Sequence, residues 1–256
     1  MPQAQTIDEV LLALTGILQA CRDEQRRLGY FPALYKRVTE SVKAGIGAGR
    51  FEDGARMERL DVAFANRYLE AWDAWRGGRA QTACWRVAFD AGSRWRPVIL
   101  QHLLTGMNAH INFDLAIAAA QISPGPEIEN LKRDFDEINQ VLAELVVPVE
   151  QELAGVSPWI GLIETFGGHT EDAVVNFNIC AARELAWEQA LRLAALHQSE
   201  QDVALALTIR GMDTVVAGMA EFILRPGPLL QTGLLLVRAR EESDAVKVMA
   251  ALSQPS

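Results

Sequence analysis

The chain has 256 residues, half of them hydrophobic and 22% charged, which suits a globular protein large enough for one sizeable core. Its formal net charge is −9, and the densest basic stretch, Arg22 to Arg27, carries its own acids, which argues against nucleic acid and anionic membrane surfaces as partners. Cys21, Cys84 and Cys180 are far apart, odd in number and without a C-x-x-C pair; this argues against a disulfide or zinc framework and points to a reducing, cytoplasmic setting.

No signal-peptide pattern opens the chain, and the apolar stretches are broken before the roughly eighteen residues a membrane span needs. Helical periodicity dominates. Thr6-Ile7-Asp8-Glu9 reads as a capping box ahead of Val10, Leu14, Ile17 and Leu18. A second helix is expected from Pro32 to Ile46, a third from Arg56 to the Gly77-Gly78 stop, and a short one from Thr82 to Phe89. Arg96 to Gln121 forms a central helix ended by Ser123-Pro124-Gly125-Pro126. Glu127 to Leu153 follows, with a kink expected at Pro148. Thr170 is an N-cap candidate for a helix reaching about His197. Asp202 to Leu224 and Leu230 to Leu252 complete the set, split by Arg225-Pro226-Gly227-Pro228. No stretch alternates with the period of a strand. The expected fold is all-α, a single domain over residues 1–256 with about nine helices around a buried central one, residues 1–28 and 200–256 being flanking helices.

The central helix is unusual. On a wheel of about 100° per residue, His102, Gly106, His110 and Asp114 form one stripe. Gln101, Thr105, Asn108 and Asn112 lie roughly opposite, with Leu104, Met107, Ile111 and Leu115 between. A helix polar on two faces is buried all round, and its polar groups need partners inside the protein. They are either satisfied core groups locking helices together or the lining of a site. Gly106 bears on the choice: a mid-helix glycine costs about 1 kcal/mol relative to alanine, so the gap it leaves has a use, for a ligand or for a close helix.

Other helices offer partners. Asp61 shares an apolar stripe with Tyr68 and Trp72, and Asp134 shares one with Ile138 and Val141. Acids so placed suit burial beside a His or Arg. Arg183, on a stripe with Trp187, is a buried cation to neutralise one of them, or an anion binder. The six tryptophans, among them Trp72, Trp85, Trp159 and Trp187, suit core packing or a large apolar pocket. His169, at a loop-to-helix turn, is a further candidate ligand. No Glu-x-x-His, His-Glu-x-x-His, Gly-x-Ser-x-Gly, P-loop or Gly-x-Gly-x-x-Gly occurs, so di-iron, zincin, α/β-hydrolase and nucleotide-binding patterns have no support.

The segments His102-Leu-Leu-Thr-Gly-Met-Asn-Ala-His-Ile-Asn-Phe-Asp-Leu115 and Glu58-Arg-Leu-Asp-Val-Ala-Phe-Ala-Asn-Arg-Tyr68 resemble a widespread helical domain family of unknown function, over roughly Gly29 to Leu196. That resemblance implies a helical domain and no activity. His110-x-x-x-Asp114 also resembles, locally, the His-x-x-x-Asp ligand pair of helical zinc phospholipases C and P1-type nucleases. Those proteins use many more histidines and an N-terminal Trp; with four histidines and Met1-Pro2, this chain would hold one or two ions at most.

Three functions are therefore weighed. The first is an enzyme acting on a small or lipid-like substrate by metal-assisted hydrolysis. There His110 and Asp114 bind one divalent ion, Asp61 or Asp134 completes the shell, and His102 is the general acid or base. Asn108, Asn112, Tyr68, Trp72, Arg183 and Trp187 are its candidate substrate contacts. The second is a metal-free acid–base cyclase or isomerase with a Trp-lined apolar pocket. The third is a non-catalytic helical protein that holds an apolar ligand.

Overall fold

A computed structural model of the chain describes residues 2–158, 179–199 and 201–254. Among these there are no strands, and ten helices surround one main core. They are α1 (Ile7–Asp23), α2 (Tyr30–Gly47), α3 (Gly54–Arg76), α4 (Ala83–Ala91), a composite α5, α6 (Lys132–Val156), α7 (Ile179–Gln198), α8 (Asp202–Leu224), α9 (Pro228–Arg238) and α10 (Ala245–Leu252). The composite α5 runs without a break through Ile99–Ala109, His110–Asp114 and Leu115–Ile122. Trp159, His169 and the helix start expected at Thr170 lie outside the described residues.

Local chemistry sets the ends. Thr6 caps α1 by accepting from the Glu9 N–H at 3.2 Å, and Glu9 reaches back to the Gln5 N–H rather than to Thr6 itself. Such a cap contributes about 1 kcal/mol. Gly77 and Gly78 end α3, Gly78 with a φ of +63° that favours glycine. α6 continues through Pro148. The single helix expected from Leu230 to Leu252 is two. Asp244 accepts from the Val246 and Lys247 N–H groups and starts α10 afresh, while Glu241, in the break, turns inward.

The central position of α5 follows from its sequence. Every residue from Leu115 to Ala120 is buried, and four of those six are alanine. α7 packs along this stretch with its own buried series Ala186, Ala190 and Ala194, so the two backbones approach closely. α5 starts where Ile99 N–H donates to both oxygens of Glu241, at 3.0 and 3.1 Å. Ser157 donates to the same carboxylate at 2.7 Å. A buried acid thus caps the positive end of the central helix.

α8 is the one helix among the described residues that is long and apolar enough to cross a membrane by length and composition, with a mean hydropathy of 1.4 and 22% of the window buried. Its Asp213 carboxylate accepts from the Ala83 and Cys84 N–H groups at 2.7 and 2.9 Å and so caps α4. α8 packs along α4 and α5.

Candidate functional site

Halfway along α5 the hydrogen-bond ladder widens. Leu115 N–H donates to the His110 carbonyl, an i to i+5 bond, and residues His110–Asp114 form a π turn. Such bulges insert one extra residue into a turn and recur at functional sites. Within this turn His110 Nδ1 faces Asp114 Oδ2 at 3.3 Å. The Trp85 indole N–H donates to the same oxygen at 2.9 Å, and Arg67 Nε–H donates to Oδ1 at 2.9 Å. Asp114 is 1% exposed, so three donors from three helices stabilise one buried carboxylate.

Asp114 so placed holds Nδ1 of His110 as the N–H tautomer and leaves Nε2 unprotonated. Nε2 is buried with no hydrogen-bond partner. The ring itself is fixed: Phe64 stacks on it with centroids 3.6 Å apart, and Tyr35 meets it edge-on at 4.4 Å. Burial pushes the His110 pKa below the ordinary imidazole value; Asp114 opposes this.

His110 lines a cavity of about 540 Å³ between α2, α3, α5, α6 and α7. Among the described residues most of its wall is aliphatic or aromatic, with Asp61, Asn139, Glu150 and Arg183 as the other charged or amide side chains. Asp61 Oδ2 has no hydrogen-bond partner, and burial, helped by Glu58, raises its pKa to about 7. Tyr35 also lines the cavity; burial holds its phenol well above the usual value, and its hydroxyl makes no hydrogen bond of sound geometry. Arg183 is 5% exposed, and burial lowers its pKa to about 10. It donates through Nε to Asn139 Oδ1 at 2.7 Å and through a terminal nitrogen to the Phe135 carbonyl, with its guanidinium over the Phe135 ring.

The structure thus gathers His110, Asp114, Asp61 and Arg183 in and around one cavity and disperses the other candidates. His102 faces away from it. Its ring meets Tyr30 edge-on at 5.7 Å, and it borders a separate hollow of about 20 Å³. Phe31 is the wall between, because it lines both spaces. Phe31 also answers for Gly106: a Cβ there would lie 2.5 Å from Phe31 Cγ, so the missing side chain makes room for a ring and not for a ligand.

Asp134 has a capping role elsewhere. It accepts from the Glu52 and Asp53 N–H groups at 2.6 and 3.1 Å and from Arg56 at 2.7 Å, holding the turn that starts α3. Asn108 donates to the Val216 carbonyl at 2.9 Å and accepts from Asn112 at 3.0 Å, while Gln101 donates to the Ile223 carbonyl at 2.7 Å. The second polar face of α5 is therefore fastened to α8, and these groups are spent. Trp72 packs on Trp75 and Phe89, and Trp187 packs on Phe135. No tryptophan lines the cavity among the described residues, so the Trp-lined pocket is replaced by one of Phe, Tyr and aliphatic side chains. Tyr68 stands behind Phe31, with its hydroxyl buried and unpartnered. Sequence reasoning offered Trp85 only as a core or pocket residue and gave Arg67 and Phe64 no role, yet these three hold the His110–Asp114 pair from outside α5.

A divalent ion does not fit that pair. Both Asp114 oxygens already accept N–H donors, one from a guanidinium that a cation would have to displace or abut. Among the described residues no three His, Cys, Asp or Glu side chains converge as ligands.

Residues 7–226 match the model of a family of unknown function, DUF5995. The chain belongs to that family. The match runs from the start of α1 past the end of α8 and includes the whole cavity. No curated protein and no solved structure matches the chain.

Proposed function

We propose that this DUF5995 protein is a metal-free acid–base enzyme that isomerises a carbonyl compound with a hydrocarbon chain inside the α2–α3–α5–α6–α7 cavity. One observation carries the reading. The unpartnered Nε2 of a histidine oriented by a buried carboxylate shares an apolar cavity with a second, unpartnered carboxyl group, Asp61. Burial acts on the two in opposite directions. It lowers the His110 pKa, keeping the imidazole neutral, and raises that of Asp61 to about 7, keeping a large share of it protonated near neutrality. A base and an acid coexist at one pH, which is the arrangement proton transfer needs.

In the step this supports, His110 Nε2 takes a proton from a carbon next to a carbonyl, and Asp61 gives one to the carbonyl oxygen. Where a double bond is conjugated with the resulting enol, His110⁺ reprotonates it at the far carbon and the double bond moves; reprotonation at the original carbon only exchanges hydrogen, and in both cases the hydroxyl proton returns to Asp61. Protons balance, and neither water nor an oxidant is consumed. Asp114 is the positioning residue that keeps His110 in its productive tautomer and stabilises the imidazolium. The test is solvent hydrogen exchange. Wild-type protein in D2O should exchange the α-hydrogens of 2-dodecanone or a long-chain enone faster than buffer. His110→Gln and Asp61→Asn should each lose at least about a hundredfold of that acceleration, the lower end of what one general acid or base supplies. No exchange by wild type with compounds that demonstrably bind would defeat the enzymatic reading.

The cavity itself supports a second reading, a non-catalytic carrier. An apolar space of about 540 Å³ lies within the usual range for small-molecule sites and would hold such a ligand without chemistry. The three cysteines, all free thiols and two of them buried, accord with the proposed cytoplasmic setting.

A further inference from the structure

Arg183 has a feature that neither reading uses. A buried guanidinium nearly always faces a carboxylate, because leaving a charge in an apolar interior without a counter-charge is costly. Arg183 has none within ion-pair distance among the described residues. Its two hydrogen-bond partners, Asn139 Oδ1 and the Phe135 carbonyl, are neutral. The carboxylate that acts on it electrostatically, Asp136, is held by Lys132 Nζ at 2.6 and 2.9 Å. Glu150 is on the cavity rim and exposed, and Asp61 stands on α3, across the cavity from α7. Asn139 and the Phe135 carbonyl fix the guanidinium plane, and the side chain borders the cavity from α7.

We infer that the cavity takes an amphipathic monoanion, a long-chain carboxylate, whose head pairs with Arg183 and whose hydrocarbon part lies between α2, α5 and α6 toward His110. The planar fork of a guanidinium matches a carboxylate in bidentate geometry. A single buried cation balances a single charge. A phosphate head, with nearly two charges, would call for a second cation, and among the described residues no lysine or other arginine lines the cavity. Beyond the head, the wall is built of leucine, valine, isoleucine, methionine and phenylalanine from five helices, with few polar groups to recognise anything but hydrocarbon. This deepens the proposed reading by naming the substrate class, and it rests on that reading only for the position of the reacting end at His110.

The probes are dodecanoate, 1-dodecanol, dodecylamine and dodecyl phosphate, titrated calorimetrically against the full chain below their aggregation limits. Wild type should bind dodecanoate at least tenfold more tightly than dodecanol and should reject dodecylamine. Arg183→Gln should lose that tenfold preference and keep the dodecanol affinity, whereas Arg183→Lys should keep part of the preference. Should Arg183→Gln fail to fold, the wild-type ranking of the four heads decides alone. Equal affinity for dodecanoate and dodecanol would overturn the proposal, as would a preference for dodecyl phosphate, or a loss of both acid and alcohol in the variant. The expected head-group ranking in wild type, with no exchange chemistry, would sink the enzymatic reading and leave this one standing. Absence of binding by all four probes would sink both.

Discussion

His102 and His110 lie two turns apart on one helix, both buried, both with Nε2 lacking a hydrogen-bond partner, and they have opposite surroundings. His110 has a carboxylate behind Nδ1, a stacked ring on its face and a cavity of about 540 Å³ in front. His102 has no acid beside it. Burial, with Arg27 and Arg238 adding to it, presses its pKa down to about 3, so that it stays neutral. The hollow beside it, about 20 Å³, has room for about one water molecule. A buried histidine thus becomes a candidate base through what stands behind one nitrogen and how much space stands before the other. Burial and an orphaned nitrogen alone do not distinguish the two.

The comparison is broken or sharpened first at Asp114. Asp114→Ala strips the acceptor from Arg67, Trp85 and His110 at once. Removing one partner of a buried charged pair costs about 3–5 kcal/mol, and that loss is expected here in urea unfolding at pH 7. His102→Leu removes an orphaned polar atom and nearly preserves volume, so a cost below about 1.5 kcal/mol is expected. Similar losses for the two would mean that His102 has a partner as firm as Asp114, and the contrast would fall.

Much of the fold was legible because helix signals are local. The Thr6 cap, the Gly77-Gly78 stop and the limits of α8 all depend on residues within a turn or so of each other. The burial of α5 was legible too, since polar residues on two faces leave no face for water. The identity of the site was only half legible. His110 and Asp114 meet because they are four residues apart, a local fact. That His102 is walled off depends on Phe31, some seventy residues earlier, and no pattern inside α5 encodes it. Asp61 and Asp134 carried the same signal, an acid on an apolar stripe. One remains unpaired beside a cavity, and the other is satisfied by the backbone of Glu52 and Asp53, because the α2–α3 turn happens to pass over it. Similar stripes lead to different partners, and the partners are tertiary.

Titration offers a sharper contrast, with smaller steps. His102 has a lowered pKa, about 3 against an ordinary 6.5, so the folded state binds fewer protons than the unfolded chain between those values. Stability from this group is present above pH 6.5 and is lost on acidification by up to about 1.4 kcal/mol per pH unit. Asp61 is the reverse. Its pKa is raised to about 7 from 3.8, so its contribution is fully present below pH 3.8 and is lost as pH rises toward and through 7, at a slope of the same size. His102→Leu should therefore gain on wild type as pH falls from 6.5 to 4, and Asp61→Asn should gain as pH rises from 4 to 8. Urea midpoints across that range measure both. Curves for the two variants that run parallel to wild type would show that neither group is held in the form its surroundings dictate.

The smallest expected effect links the two regions through their shared wall. In Gly106→Ala the new Cβ would lie 2.5 Å from Cγ and 2.8 Å from Cβ of Phe31, atoms too near the α2 backbone to swing aside. α2 itself must yield. Overpacking of this kind costs about 1–3 kcal/mol, and replacing a helical glycine by alanine returns up to about 1 kcal/mol, so a net loss of about 1 kcal/mol is expected. The displacement should carry the Phe31 ring toward the large cavity and leave the His110–Asp114 pair untouched. Affinity for a long-chain probe should fall several-fold, more for a twelve-carbon than for an eight-carbon chain, because the lost volume penalises length. Adding Phe31→Leu should restore room for the longer chain even if it lowers stability further. Should Gly106→Ala bind both chain lengths as wild type does, Phe31 would have moved into the His102 hollow instead, and the division of α5 into two separate environments would depend on a wall that yields in the other direction.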